Sequence, residues 1–114
     1  MMEVNMLAKL LGGETAEKVL LYMTVYEEGY ARQISRVFGI AFDSVNKQLK
    51  KMEDAGILVS IMKGRTKVFS WNPRYPFLAE LKAFLKKAHD YLPEEEKEKY
   101  YRQRTRPRKS DKKL

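Results

Sequence analysis

Ala41-Phe42-Asp43-Ser44-Val45-Asn46-Lys47-Gln48-Leu49-Lys50-Lys51 is the run on which the reading of this chain turns. On a helix, Val45, Leu49 and Met52 fall at i, i+4 and i+7 and share one face. Asp43, Lys47 and Lys50 fall on the opposite face, with Ser44, Asn46 and Lys51 on its flanks. One face asks for a core, and the other is short, polar and cationic. Any basic amphipathic helix has this form, so the flanking sequence decides what it is for.

Upstream, residues 31–38 predict a helix of about two turns with Ala31, Ile34, Val37 and Phe38 inward. Gly39 ends it and Ile40 returns to the core. The next helix begins near Ala41 or Phe42 and runs to Ala55, where Gly56 caps it. Two helices joined by a turn of about four residues containing glycine make a helix-turn-helix, with the second helix as reader. Its polar cationic face then suits the major groove of DNA. Phe42 lies one flank away from Val45, which places it in the core rather than against a thymine methyl.

Downstream, Val59-Ser60-Ile61-Met62-Lys63 is β-branched and strand-like, Gly64-Arg65 marks a turn, and Thr66-Lys67-Val68-Phe69-Ser70-Trp71 alternates as the returning strand. Lys63, Arg65 and Lys67 cluster around Gly64 with no acid near them in sequence, which predicts a phosphate contact at the hairpin tip.

The rest of the chain frames this unit. Residues 4–11 predict a short helix ended by Gly12-Gly13, either a lid on the core or part of a dimer interface. Residues 14–28 predict a second helix, capped by Thr15 and stopped by Gly29, with apolar residues on several sides. After a linker at 72–76, Pro76 opens a helix to about Asp90. Its apolar face holds Phe77, Leu78, Leu81, Phe84, Leu85 and Ala88. Apolar helices at both ends of a small domain predict a homodimer built from Leu7, Leu10, Leu11, Phe77, Leu78, Leu81, Phe84 and Leu85. The expected division is 1–13 N-terminal helix, 14–72 helix-turn-helix with hairpin, 73–92 dimerisation helix, and 93–114 a tail passing from helix to disorder. Tyr91, Tyr100 and Tyr101 could stack on bases beside the arginines, but the expectation is that they are solvated.

Composition limits the alternatives. The 114 residues form one domain, 44% apolar, with no cysteine and one histidine, His89. Disulfides and thiolate metal sites are excluded, and no metal cluster or cofactor is expected. No apolar run approaches the roughly 18 residues of a membrane span, and no signal peptide is evident, so the expected location is cytoplasmic. Of the net charge of +8, residues 100–114 carry +6, from seven basic side chains and one acid. Charge alone therefore says little about the fold proper. No base–nucleophile pair, opposed carboxylates or glycine-rich phosphate loop is present, and an enzyme is not expected.

With this order in hand, the chain resembles the winged helix-turn-helix transcription regulators of the arsenic-repressor-like and multiple-antibiotic-resistance-like kind. The carrying residues are Ala31-Arg32-Gln33-Ile34-Ser35, then Ser44 to Leu58 with Val45, Leu49, Met52, Gly56, Ile57 and Leu58 in the family's spacing, then Lys63 to Phe69. The resemblance implies a mostly α fold with a β-hairpin wing, a three-helix core, and N- and C-terminal helices for dimerisation. It implies Asp43, Ser44, Asn46, Lys47, Lys50 and Lys51 on DNA, Arg32 on a phosphate, and Lys63, Arg65 and Lys67 on the backbone or minor groove. The cysteine and histidine ligands of the metal-sensing branch are absent, so a non-metal-sensing type is expected. Ala41 stands where a capping Ser or Thr is usual.

Two functions follow. One is a homodimeric, sequence-specific regulator of transcription on double-stranded DNA. The other is a winged-helix module that docks on a protein, as antitoxin or adaptor of a neighbouring nucleotidyltransferase; this is what the resemblance of residues 71–81 to a prokaryotic subgroup often found beside small nucleotidyltransferases implies. A basic tail giving non-specific nucleic-acid affinity is a third source of binding. A small-molecule effector is not legible in the residues.

Overall fold

The computed structural model describes residues 6–101, for Met6 the backbone alone. Helix α1 (Met6–Leu11) meets helix α2 (Glu14–Tyr26) at Gly12-Gly13, whose positive φ angles of 100° and 135° turn the chain sharply. Gly13 is the N-cap of α2, so Thr15, the expected cap, already lies inside the helix. Val19, Leu20, Leu21, Tyr22 and Met23 are all buried in succession. That makes α2 the enclosed central helix its all-round apolar surface predicts.

α2 stops earlier than Gly29. Glu27 takes the left-handed conformation (φ 70°), and its N–H donates to the Met23 carbonyl at 2.9 Å. Glu28–Gly29 is then strand β1, pairing antiparallel with Ser70 and Phe69. Gly29, expected only to stop the helix, is therefore part of a sheet edge. Two residues carry no alternating pattern, so this strand exists only through its partner.

Helix α3 (Ala31–Phe38) ends at Gly39 (φ 67°), and helix α4 (Phe42–Asp54) follows. Past α4, Gly56 N–H donates to Glu53 O and Ile57 N–H to Met52 O. This is the Schellman pairing that a left-handed glycine after a helix permits. Strands β2 (Leu58–Lys63) and β3 (Thr66–Trp71) form an antiparallel hairpin in register Leu58↔Trp71 to Lys63↔Thr66, and the sheet order is β1-β3-β2. Helix α5 (Leu78–Asp90) and helix α6 (Glu94–Tyr100) complete the described chain. Pro76 does not open α5. Asn72 holds the preceding turn through Gly56 O and the Arg74 N–H, and Phe77 is the N-cap.

The core gathers α2, Ile34 of α3, Val45, Leu49 and Met52 of α4, Leu58, Phe69 and Trp71 of the sheet, and Leu85 of α5. Trp71 Nε1 donates to Met23 O at 3.2 Å, satisfying the one polar group that indole brings inside. Val37, expected inward, is exposed. The inward stripe of α3 is Ala31, Ile34 and Phe38, which leaves Val37 on the far side of Ile34.

Residues 93–101 are folded rather than a solvated tail. Tyr101 is 3% exposed and its ring lies 5.6 Å from that of Phe38. Tyr26 donates its hydroxyl hydrogen to Tyr100 O, and Lys18 pairs with Glu96 at 3.8 Å. Aromatic area, not helical charge pattern, ties α6 down. The stretch expected to be disordered, from Thr105 onward, lies outside the described residues.

A Cβ on Gly29 would stand 2.7 Å from Tyr22 Cε1, on a ring that is buried and packed on Tyr26. Gly29→Ala is expected to destabilise the fold by about 1–3 kcal/mol in urea unfolding, because the ring must move within a filled core. An unchanged midpoint would show that the approach of β1 to α2 is looser than described.

Candidate functional site

Val45 and Leu49 are both 0% exposed, which fixes the rotation of α4 about its axis. Asp43, Ser44, Asn46, Lys47, Lys50 and Lys51 are consequently all exposed. Ala41 is the N-cap and makes no side-chain cap bond, so the first-turn amides of α4 have no side-chain acceptor there. Asp43 in that turn complements the positive helix end. Among the described residues no acid lies within ion-pair distance of Lys47, Lys50 or Lys51. Lys50 does feel the nearby Glu53 carboxylate, which it helps to hold low.

Phe42 is not a core residue. It is the first residue of α4 and remains 39% exposed, with the Arg32 guanidinium carbon 5.0 Å from its ring centroid. A helical side chain leans toward the N-terminus of its helix, which here carries the ring past the core and beside the start of α3. Arg32 and Phe42 thus form one surface unit at the N-terminal end of the exposed face of α4.

The hairpin tip differs from its sequence reading. Lys63 pairs with Glu28 at 3.7 Å and Lys67 with Glu53 at 3.4 Å. The acids are distant in sequence and adjacent in space, Glu28 through β1 and Glu53 through the last turns of α4. Of the three cations only Arg65, beside Gly64 (φ 64°), has no acid partner among the described residues. Glu53 also accepts from Ser60 Oγ at 2.5 Å, so one carboxylate ties α4 to both strands of the hairpin. That hydrogen bond, together with Lys67, holds the Glu53 carboxyl below the usual carboxylate range. Sequence inspection missed Glu53 and Ser60, since only the fold brings residues seven apart on a helix and a strand together.

The expected dimer residues divide. Leu10, Phe77 and Phe84 are exposed; Leu7, Leu11, Leu78 and Leu81 are partly buried against their own core. Leu85 is 0% exposed within the single chain and is removed from the interface. Among the described residues no group of three or more His, Asp or Glu side chains converges as a metal site, and no helix is long and apolar enough to cross a membrane.

No known family profile matches the sequence, and no curated protein matches it. Solved structures do. A predicted DNA-binding transcriptional regulator from E. coli matches with TM-score 0.57 and 18% identity, over 72% of this chain and 84% of that one. Reduced HlyU from Vibrio cholerae N16961 matches with TM-score 0.59 and 17% identity, over 76% and 86%. The antimony-specific transcriptional repressor AntR matches with TM-score 0.54 and 16% identity, over 72% and 76%. The fold is a winged helix. In this winged helix α3 and α4 are the helix-turn-helix and β2–β3 is the wing.

The Glu53 brace gives a pH test. Its carboxyl is lowered by folding, so its stabilisation is present in full above the ordinary carboxylate pKa of 4.5 and is lost as pH falls through the lower folded value. The stability gap between wild type and Glu53→Gln, measured by urea unfolding, is expected to be widest at neutral pH and to shrink below about pH 4. A gap independent of pH would mean that the carboxylate charge plays no part in the brace.

Proposed function

We propose that the protein is a sequence-specific double-stranded DNA-binding transcriptional regulator acting as a homodimer. The observation that carries the proposal is the outer face of α4. It presents Ser44, Asn46, Lys47, Lys50 and Lys51 to solvent, with no acid in ion-pair contact with the lysines among the described residues. Polar side chains read base edges in the major groove while cations meet phosphates. Arg65 at the wing tip then contacts the backbone or minor groove of the flank, and Lys63 and Lys67 shape the wing. Residues 14–72 form the DNA-binding unit in this reading, and residues 1–13 and 73–92 the dimer. Phe77, Phe84 and Tyr91 support that pairing, because they are exposed at seven-residue intervals along α5 and just beyond it.

The absence of cysteine directs any regulation away from thiolate chemistry. Location in the cytoplasm follows from the proposed task. A second reading has its own observation: Ile61 and Met62 on edge strand β2 are 60% and 61% exposed. An apolar edge of this kind suits a protein partner, in the adaptor role.

Fluorescence anisotropy on a labelled duplex tests the DNA reading. Lys47→Ala with Lys50→Ala is expected to weaken binding by about tenfold or more and to make the salt slope less negative by about 2, if each lysine meets one phosphate. A chain ending at Thr105 should retain sequence preference. Binding by that chain that is undiminished in the double variant would contradict the placement of α4. Phe84→Glu is expected to turn the dimer into a monomer in sedimentation velocity; a wild-type protein that is already monomeric would contradict the homodimer.

A further inference from the structure

Arg32 and Phe42 are the part of this surface that the general winged-helix reading leaves unused. The first would ordinarily be set to a phosphate and the second to the core. Instead the guanidinium lies over the ring at 5.0 Å, and both side chains are exposed. A stacked guanidinium loses freedom before it meets any ligand, and its planar fork is held in one orientation. Phe42 lies on the same flank of α4 as Asn46, one turn further on, so the pair continues the polar reading ridge toward the helix N-terminus. Ring and guanidinium lie 5.0 Å apart, close enough to act on one short stretch of groove. A thymine methyl and guanine acceptors cannot belong to the same Watson–Crick pair, so contacts to both fall on neighbouring pairs. An aromatic ring in the major groove contacts the thymine 5-methyl, and an arginine fork suits the guanine O6 and N7 acceptors.

We infer that Arg32 and Phe42 form a composite specificity element that reads a thymine next to a guanine, Phe42 through the 5-methyl group and Arg32 through O6 and N7. The inference rests on the DNA-binding reading and adds the base step it selects. Arg32 is then a base-reading residue rather than a phosphate clamp. Asp43, on the other side of the first turn, discourages phosphate at the helix tip and favours a base edge there.

The test begins with selection from a pool of random-sequence duplexes by the full chain, with sequencing of the retained fraction. The expected motif contains a T·A pair beside a G·C pair in each half-site. In the selected duplex, uracil in place of that thymine should weaken wild-type binding at least threefold and leave Phe42→Ala binding unchanged. Substitution of 7-deazaguanine for the guanine should do the same for wild type and leave Arg32→Ala unchanged. Arg32→Lys, which keeps the charge and loses the fork, should behave as Arg32→Ala. Both positions are exposed, so circular dichroism melting of the variants serves as the folding control.

Failures are separable. A pool from which wild type enriches no motif overturns sequence-specific reading itself, and this inference with it. A motif that Phe42→Ala enriches unchanged overturns the inference alone. Equal loss by Arg32→Ala on all duplexes, with restoration by Arg32→Lys and a salt slope reduced by about 1, makes Arg32 a phosphate clamp and likewise overturns it.

Discussion

The seating of Val45, Leu49 and Met52 against α2 is the constraint from which the rest follows. Val45 and Leu49 are wholly excluded from solvent, so α4 can neither roll nor slide without opening the core. That burial turns a generic basic helix into a defined surface. Exchanging the inner residues would cost the fold; exchanging the outer ones would cost nothing structural. The free energy of folding and the chemistry of the exposed face are thus carried by residues one or two positions apart.

The wing depends on the same helix. Glu53 leaves the inner edge of α4 to receive Ser60 and Lys67, and Glu28 on β1 receives Lys63. These surface ion pairs are individually weak. They join the wing to β1 and to α4 and leave two of its three cations paired with acids. Arg65 is left at the tip, on a turn that Gly64 permits by its positive φ.

Much of this was legible in the sequence because it is local. α3, the start of α4 and β3 follow from spacing and from Gly39 and Gly56, whose backbone freedom is required at the two helix ends. What was not legible is non-local. β1 has only two residues and is defined by pairing with β3. Glu27 adopts a left-handed cap without a glycine to announce it. Tyr101 enters the core from a stretch whose composition reads as tail, since aromatic contact with Phe38 outweighs the surrounding charge. The wing lysines look free until the fold brings Glu28 and Glu53 beside them. Phe42 was misplaced for a different reason: a helical wheel assigns a flank but not the direction in which a first-turn side chain leans.

The outer face of α4, together with the wing tip, is the surface proposed to meet DNA. Backbone amide shifts followed by NMR while a short DNA duplex is titrated into the protein address it most directly. The largest perturbations are expected at Phe42 to Lys51 and at Gly64-Arg65, with Val19 to Met23 and α5 little changed. Perturbations concentrated on α5, on β2 or beyond Tyr101, with α4 silent, would contradict it.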